Sequence, residues 1–106
     1  MKLKINNKEY EFTQCLSFFS KLRGLMFSKK KNLFFIFPVK TRPLIHMFFV
    51  FFPITTIFLD ENYNILETKI LYPFQIYLPK KKIKYLLEVS EKIENVNKVY
   101  FISKVY

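Results

Sequence analysis

The sequence predicts a mainly β domain, a compact barrel-like or sandwich arrangement of about seven or eight short strands with one or two short helices. Three observations lead there. Segments that alternate apolar and polar residues recur along the chain between turn formers, whereas helical spacing is clear in one place only. The longest apolar run, Leu44 to Leu59, is dominated by Phe, Val, Ile and Thr, residues that suit a pleated surface. The chain also carries 14 Phe and 7 Tyr but a single glycine. Its core must therefore be built from large rings meeting edge to face, and its turns from Asn, Asp, Pro and Lys.

The elements follow in order. Lys2 to Asn6 alternates with Leu3 and Ile5 on one face, Asn6-Asn7 signals a turn, and Glu9 to Thr13 alternates again, giving a short hairpin. From Cys15 to Phe27 the period changes. Leu16, Phe19, Leu22 and Met26 recur at helical spacing, Ser17 is a candidate cap, and Gly24 stands where the helix would stop. Ser28 to Asn32 is a polar loop. Leu33 to Phe37 reads as an apolar strand stopped by Pro38, and Val39 to Pro43 as a connector. Pro53 divides the central run into two largely buried strands, His46 to Phe52 and Ile54 to Leu59, followed by a turn from Asp60 to Asn64. Asn64 to Leu71 is a strand with Leu66, Thr68 and Ile70 on one side and Glu67 and Lys69 on the other. Tyr72 to Pro79 is irregular. Ile83, Tyr85, Leu87 and Val89 alternate strictly, as in a strand with one solvated face. Ser90 to Asn97 offers one helical turn, and Val99 to Val105 closes the chain as a strand.

Length and composition narrow the function classes. A chain of 106 residues makes one domain, 1–106, with one modest core, and 51% hydrophobic residues exclude disorder. The central run is shorter than the roughly 20 residues a membrane helix needs, and it carries His46 and Pro53, so no transmembrane segment is expected. The start of the chain lacks the apolar region of a secretion signal, which points to the cytoplasm. The net charge is +10, with only Arg23 and Arg42 as arginines. Lysine excess without arginine forks reads first as compositional and second as a polyanion-binding face. One cysteine and one histidine supply neither a disulfide nor a zinc-type cluster. Cys15 reads as a small buried hydrophobe. No metal and no cofactor is expected.

The candidate ligand-binding residues are Arg23, Gly24, Met26, His46, Met47 and Asp60. A guanidinium beside the only glycine can clamp an anion, since glycine lets a ligand come close; the plainer role is bonding loop carbonyls. His46 can donate to a ligand or act as a base, but a lone His on an aromatic strand is usually a satisfied core or edge residue. Asp60 ends a strand and reads first as a turn former. Glu88 could pair with Lys84 or Arg23. The lysine runs Lys29-Lys30-Lys31 and Lys80-Lys81-Lys82 would make a groove for single-stranded nucleic acid if they converged beside Tyr72, Phe74 and Tyr77. The rings from Phe48 to Phe52 read as core.

Three stretches read together carry a resemblance: Arg23-Gly24-Leu25-Met26-Phe27; His46-Met47-Phe48-Phe49-Val50-Phe51-Phe52-Pro53-Ile54 with Phe58-Leu59-Asp60; and Lys84-Tyr85-Leu86-Leu87-Glu88. The chain resembles the domain-of-unknown-function family 192, especially its archaeal members, from about residue 18 to residue 102. The resemblance implies a compact, mainly-β, barrel-like fold with short helices, and assigns no biochemical role. This chain departs from the family pattern at Thr55, where an aspartate often follows the Pro-Ile pair. It departs again at Ser90 and Lys92, in place of proline and glycine, and at Asn97-Lys98, in place of glycine-aspartate. If the central acid is structural, threonine can cap the same turn; if it acts chemically, this member has lost it.

No nucleophile–base pair or phosphate loop stands out. The first functional expectation is non-catalytic binding of a small polar or anionic ligand. The alternatives are single-stranded nucleic-acid binding through the lysine loops, and an enzyme using His46 and Asp60 as acid and base. Burying so many rings in so short a chain is hard, so a homo-oligomer is also expected as a way to cover them.

Overall fold

The computed structural model describes residues 1–15 and 30–103, and these are built from strands throughout. In chain order they are β1 (Lys2–Ile5), β2 (Lys8–Cys15), β3 (Asn32–Thr41), β4 (Ile45–His46), β5 (Ile54–Leu59), β6 (Ile65–Leu71), β7 (Ile76–Tyr77), β8 (Ile83–Val89) and β9 (Val99–Ser103). Seven form one curled sheet in the order β6-β5-β8-β3-β2-β1-β9, and β4 and β7 form a separate two-stranded ladder. The mainly β class therefore stands, with nine strands among the described residues. The helix expected from Cys15 to Phe27 falls on residues 16–29, outside the described residues, and Cys15 is the last residue of β2.

Alternation dictates the two cores. On one face of the sheet Leu3, Ile5, Phe12, Phe34, Ile57, Leu59, Leu87 and Val89 pack together. On the other, Leu33, Phe35, Ile54, Phe58, Leu71 and Leu86 pack beneath Ile45, Met47 and Val50. Adjacent residues such as Phe34 and Phe35 thus go to opposite faces, as a pleated strand requires. The first face is closed by rings. Tyr63, in the β5–β6 turn, stacks 4.4 Å from Tyr85 and meets Phe101 of β9 edge-on at 4.6 Å. One end of the strand order thereby reaches the other across the curl. A hydrogen bond with Tyr63, assisted by burial, pushes the Tyr85 hydroxyl up to about 12.

The β1–β2 hairpin is as expected, with Asn6 and Asn7 both at positive φ. The β5 strand, the Asp60 to Asn64 turn and β6 also match. Four expectations are corrected. First, β3 does not stop at Pro38 but runs on to Thr41. Its pairing with β8 breaks between Ile36 and Thr41, and the irregularity absorbs the proline. Lys84 donates to the carbonyls of Phe37 (2.6 Å) and Pro38 (3.0 Å) there.

Second, β8 has no solvated face. It lies between β3 and β5, so Leu86 and Glu88 are buried as well as Leu87 and Val89. Ile83 crosses to the opposite core from Tyr85, at the same irregularity. Third, Ser90 to Asn97 is not helical. Its backbone groups are bonded elsewhere: the Asn6 side chain binds Asn95, Asn97 and Lys98, and the Thr55 hydroxyl binds Glu91 and Ile93. Fourth, His46 to Phe52 is not a strand. Only Ile45 and His46 are extended, and the chain then turns through Phe48 and Phe49.

Thr55 is buried on β5, where the family pattern often has aspartate. Its hydroxyl donates to the Glu91 carbonyl (2.7 Å) and accepts from the Ile93 amide (2.8 Å). That double role ties the segment after β8 to the sheet, so in this chain the position is structural. Thr55→Val removes the partner of the Glu91 carbonyl and the Ile93 amide at the edge of the core, and thermal unfolding is expected to show a loss of about 1–3 kcal/mol. A change below a few tenths would refute the assignment.

Candidate functional site

Two loops and the β4–β7 ladder form one unit over the second core. Ile45 pairs with Tyr77 and His46 with Ile76. The Met47 amide donates to the Gln75 carbonyl (2.7 Å), and the Met47 carbonyl accepts from the amides of Phe74 (2.9 Å) and Val50 (3.3 Å). The Gln75 side chain closes its own turn by accepting from the Tyr72 amide at 2.8 Å. Met47 and Val50 point inward and are buried. With those inward, the neighbouring rings must point out.

The outward rings are held under strain. Phe49 and Phe74 have φ of 59° and 68°, the left-handed region that a phenylalanine enters at a cost of about 1–2 kcal/mol. Both are locked there, Phe74 by its bond to Met47 and Phe49 by the turn that returns Val50 to the same carbonyl. Phe74 meets Phe49 (6.4 Å) and Phe51 (6.2 Å) edge-on, which joins the two loops. Phe51 is 65% exposed and Phe74 55%. On the outer face of the ladder Leu44, Ile76 and Leu78 are also exposed, while Ile45 and Tyr77 face the core. The expectation that the Phe48 to Phe52 rings form core is thus corrected: Phe48, Phe49 and Phe51 are exposed and Phe52 is half-buried.

Three lysines lie over aromatic rings of the same two loops and ladder. Lys30 lies over the Phe52 ring (5.9 Å), Lys69 over Tyr77 (5.4 Å) and Lys92 over Tyr72 (5.3 Å), each within cation–π range. His46 is half-buried at the edge of the patch. Its Nδ1 accepts the Phe48 amide at 3.3 Å, and its ring stacks on Phe48 at 5.2 Å. With Nδ1 so engaged, a neutral imidazole carries its proton on Nε2 and can offer it to a ligand.

Of the expected ligand-binding set, His46 is half-buried at the edge of the patch, while Met47, its neighbour in sequence, is buried beneath it. Arg23, Gly24 and Met26 lie outside the described residues, as does Lys29. Asp60 does not join His46. Its Oδ1 accepts the amides of Asn62 and Asn64 (both 2.9 Å) and its Oδ2 the Asn64 side chain (3.3 Å). The Asn64 amide, with that of Asn62, holds the carboxyl below its ordinary range, so Asp60 is built as a turn former.

Among the described residues the two lysine runs do not converge. Lys31 bonds Ser90, just past the end of β8, while Lys82 immediately precedes its start at Ile83. Seven residues of strand separate those ends, about 23 Å. Lys80 and Lys81 line a shallow pocket of about 150 Å³ with Leu66, Glu67 and Ile83, where Glu67 accepts the Lys80 amide at 3.0 Å. Glu88 is 7% exposed, and burial pushes its carboxyl up to about 7. It pairs with no cation among the described residues, because Lys84 is bound to the Phe37 and Pro38 carbonyls instead. Cys15 is buried in the core, its thiol 3.9 Å from the Thr13 carbonyl. Among the described residues no group of three His, Cys, Asp or Glu side chains could hold a metal ion, and no helix is long and apolar enough to cross a membrane.

Sequence reasoning missed Phe51 and Ile76 as surface residues, and named Phe74 only as a ring beside a lysine groove. The signal was present in the excess of rings over what so short a chain can bury, but a run without polar alternation gives no sign of which rings are left outside.

Comparison with known proteins follows the same lines. The family model DUF192, described as Uncharacterized ACR, COG1430, matches residues 1–99. A UPF0127 protein of Pyrococcus horikoshii is 37% identical over 92 residues, covering 84% of this chain and 80% of that protein. A UPF0127 protein of Thermococcus sibiricus is 41% identical over 76 residues, covering 68% of this chain and 49% of its own length. The match thus spans about half of the Thermococcus relative. A crystal structure of a protein of unknown function from Novosphingobium aromaticivorans superimposes with a TM-score of 0.76 at 13% identity, over 94% of this chain and 84% of that one. At that identity the likeness speaks for the fold alone.

Proposed function

The chain belongs to the DUF192 family, and we propose that this member is a non-catalytic binding domain whose recognition surface is the pair of aromatic loops around Met47. The ligand is small and polar or anionic. One observation carries the reading: two phenylalanines are held in left-handed backbone beside exposed rings, in loops that bond each other through Met47. Strain at an exposed apolar surface calls for a functional reason, since the same rings turned inward would stabilise the fold. The apolar face suits one side of a sugar-like or phosphate-bearing ligand, and the nearby lysines and the His46 Nε2 proton suit its polar edge.

Amide NMR titration with inorganic phosphate, glycerol phosphate and glucose tests this. At least one of them is expected to shift resonances confined to residues 44–52 and 72–78. No shift with any of the three, or shifts gathered instead around Lys80 and Lys81, would sink the reading. The nucleic-acid alternative gains no geometric support from lysine runs at opposite ends of β8. The enzyme alternative lacks a His46–Asp60 contact, since the Asp60 oxygens are engaged in their own turn.

A further inference from the structure

We infer that the aromatic loops and the outer face of the β4–β7 ladder dock onto the surface of an anionic phospholipid bilayer, with the phosphate headgroup as the anionic ligand. The inference rests on the reading of the two loops as the binding surface and names its target.

The first argument is shape and chemistry. Phe48, Phe51 and Phe74 project from the loops, and Leu44, Ile76 and Leu78 extend the same apolar surface over the ladder. Aliphatic side chains add nothing to a stacking platform for bases, and the rings meet one another edge-on at 72° rather than offering parallel open faces. An acyl-chain boundary, by contrast, accepts any exposed apolar group.

The second argument is charge. Lys30, Lys69 and Lys92 come from three different parts of the chain; Lys30 and Lys92 sit against Phe52 and Tyr72, close in sequence to the exposed Phe51 and Phe74, and Lys69 against the core-facing Tyr77. Apolar tips with lysines beside them match a layer of anionic headgroups over hydrocarbon, where each lysine near the surface adds its own attraction. A net charge of +10 and the same lysines disfavour pairing the patch with a second copy.

The third argument is the backbone. Peptide groups entering an apolar phase must already be bonded. The Met47 amide and carbonyl, the Phe74 amide and the Gln75 amide and carbonyl are all bonded within the two loops. The surface can therefore meet the headgroup region without exposing the groups that hold its shape.

The chain has no tryptophan, so Phe51→Trp supplies a single fluorescent reporter at the exposed tip. Flotation with phosphatidylglycerol vesicles is expected to carry the protein, and pure phosphatidylcholine vesicles to leave most of it behind. The reporter is expected to shift to the blue with phosphatidylglycerol, and high salt to reverse both effects. Phe51→Ser and Phe74→Ser are each expected to weaken vesicle binding about tenfold. Lys30→Gln, Lys69→Gln and Lys92→Gln are each expected to weaken it about fivefold. All five positions lie on the surface, and circular dichroism checks that each variant is folded.

Absence of vesicle binding by the folded wild-type chain overturns the inference. If inorganic phosphate, glycerol phosphate or glucose still shifts the loop resonances, the small-ligand reading survives alone; if none does, both fall. Vesicle binding without a blue shift, or binding unchanged by the two serine variants, also overturns it. So does a single-stranded oligonucleotide binding the loops in place of vesicles, or a dimer that shifts the reporter in buffer alone.

Discussion

Phe58→Ala is expected to lower the unfolding free energy by about 3–5 kcal/mol, a large part of the roughly 5–15 kcal/mol that holds a domain of this size. Phe58 is fully buried near the end of β5, with pairing strands on both sides. Its ring lies 6.1 Å from Tyr77, which with Ile45 faces the core from the small ladder. Truncation therefore opens a cavity between the sheet and the layer that carries the exposed rings. Surrounding strands are fixed by their ladders and can close it only in part. Chemical denaturation should show a lower midpoint, and the loops at 44–52 and 72–78 should lose amide protection more than the β1–β2 hairpin does. A loss under about 1 kcal/mol would mean that the ladder settles into the space, and that its hold on the core is weaker than the packing indicates.

The second large effect is on pH dependence. Glu88 titrates near 7 in the folded chain because burial disfavours its charged form, against about 4.5 when exposed. A carboxyl raised in this way contributes its full stability below 4.5 and loses it as the pH rises through 7. The difference corresponds to about 3 kcal/mol. The melting temperature of the wild-type chain is expected to fall between mildly acidic and alkaline pH. In Glu88→Gln that slope should flatten, with the variant more stable than the wild type on the alkaline side. Asp60 acts in the opposite sense and in another window, since its carboxyl is held low and its turn is weakened only as the pH falls. The two groups can therefore be told apart in one series of melts. An unchanged slope in Glu88→Gln would show that the buried carboxylate finds a cation when it ionises.

Much of this fold was legible in the residues. In β1, β2, β5 and β6 the strands expected from the residues are the strands found. The failures have local physical causes. Pro38 interrupts a ladder but not a strand, because a register irregularity can absorb the missing donor and Lys84 can reach the nearby carbonyls. Alternation in β8 suggested a wet face, yet a strand in the middle of a sheet covered on both sides has none. Ser90 to Asn97 looked able to start a helix, but Asn6 and Thr55, both distant in sequence, bind its backbone first.

The candidate site was legible only in part. His46 and Met47 were marked by their place at the head of the apolar run. The outward turn of Phe51 and Phe74 depends on two loops bonding each other through Met47, Phe74 and Gln75. No window of sequence holds both partners. Asp60 was marked for two roles, and its oxygens show the structural one.

The strand order has a kinetic consequence. The β1 strand pairs with β9, setting Leu3 opposite Phe101, and β3 pairs with β8, setting Leu33 opposite Glu88. Such partners are separated by most of the chain, and the loop closures that bring them together come before any contact rewards them. The molecule belongs among slow folders, which reach the native state in roughly milliseconds to seconds rather than microseconds. During that interval the rings of the Met47 loops stand exposed beside strands that have not yet found their neighbours, and intermolecular association competes with folding. The lysines beside these rings would then act as gatekeepers, their repulsion keeping partly folded chains apart until β9 is in place.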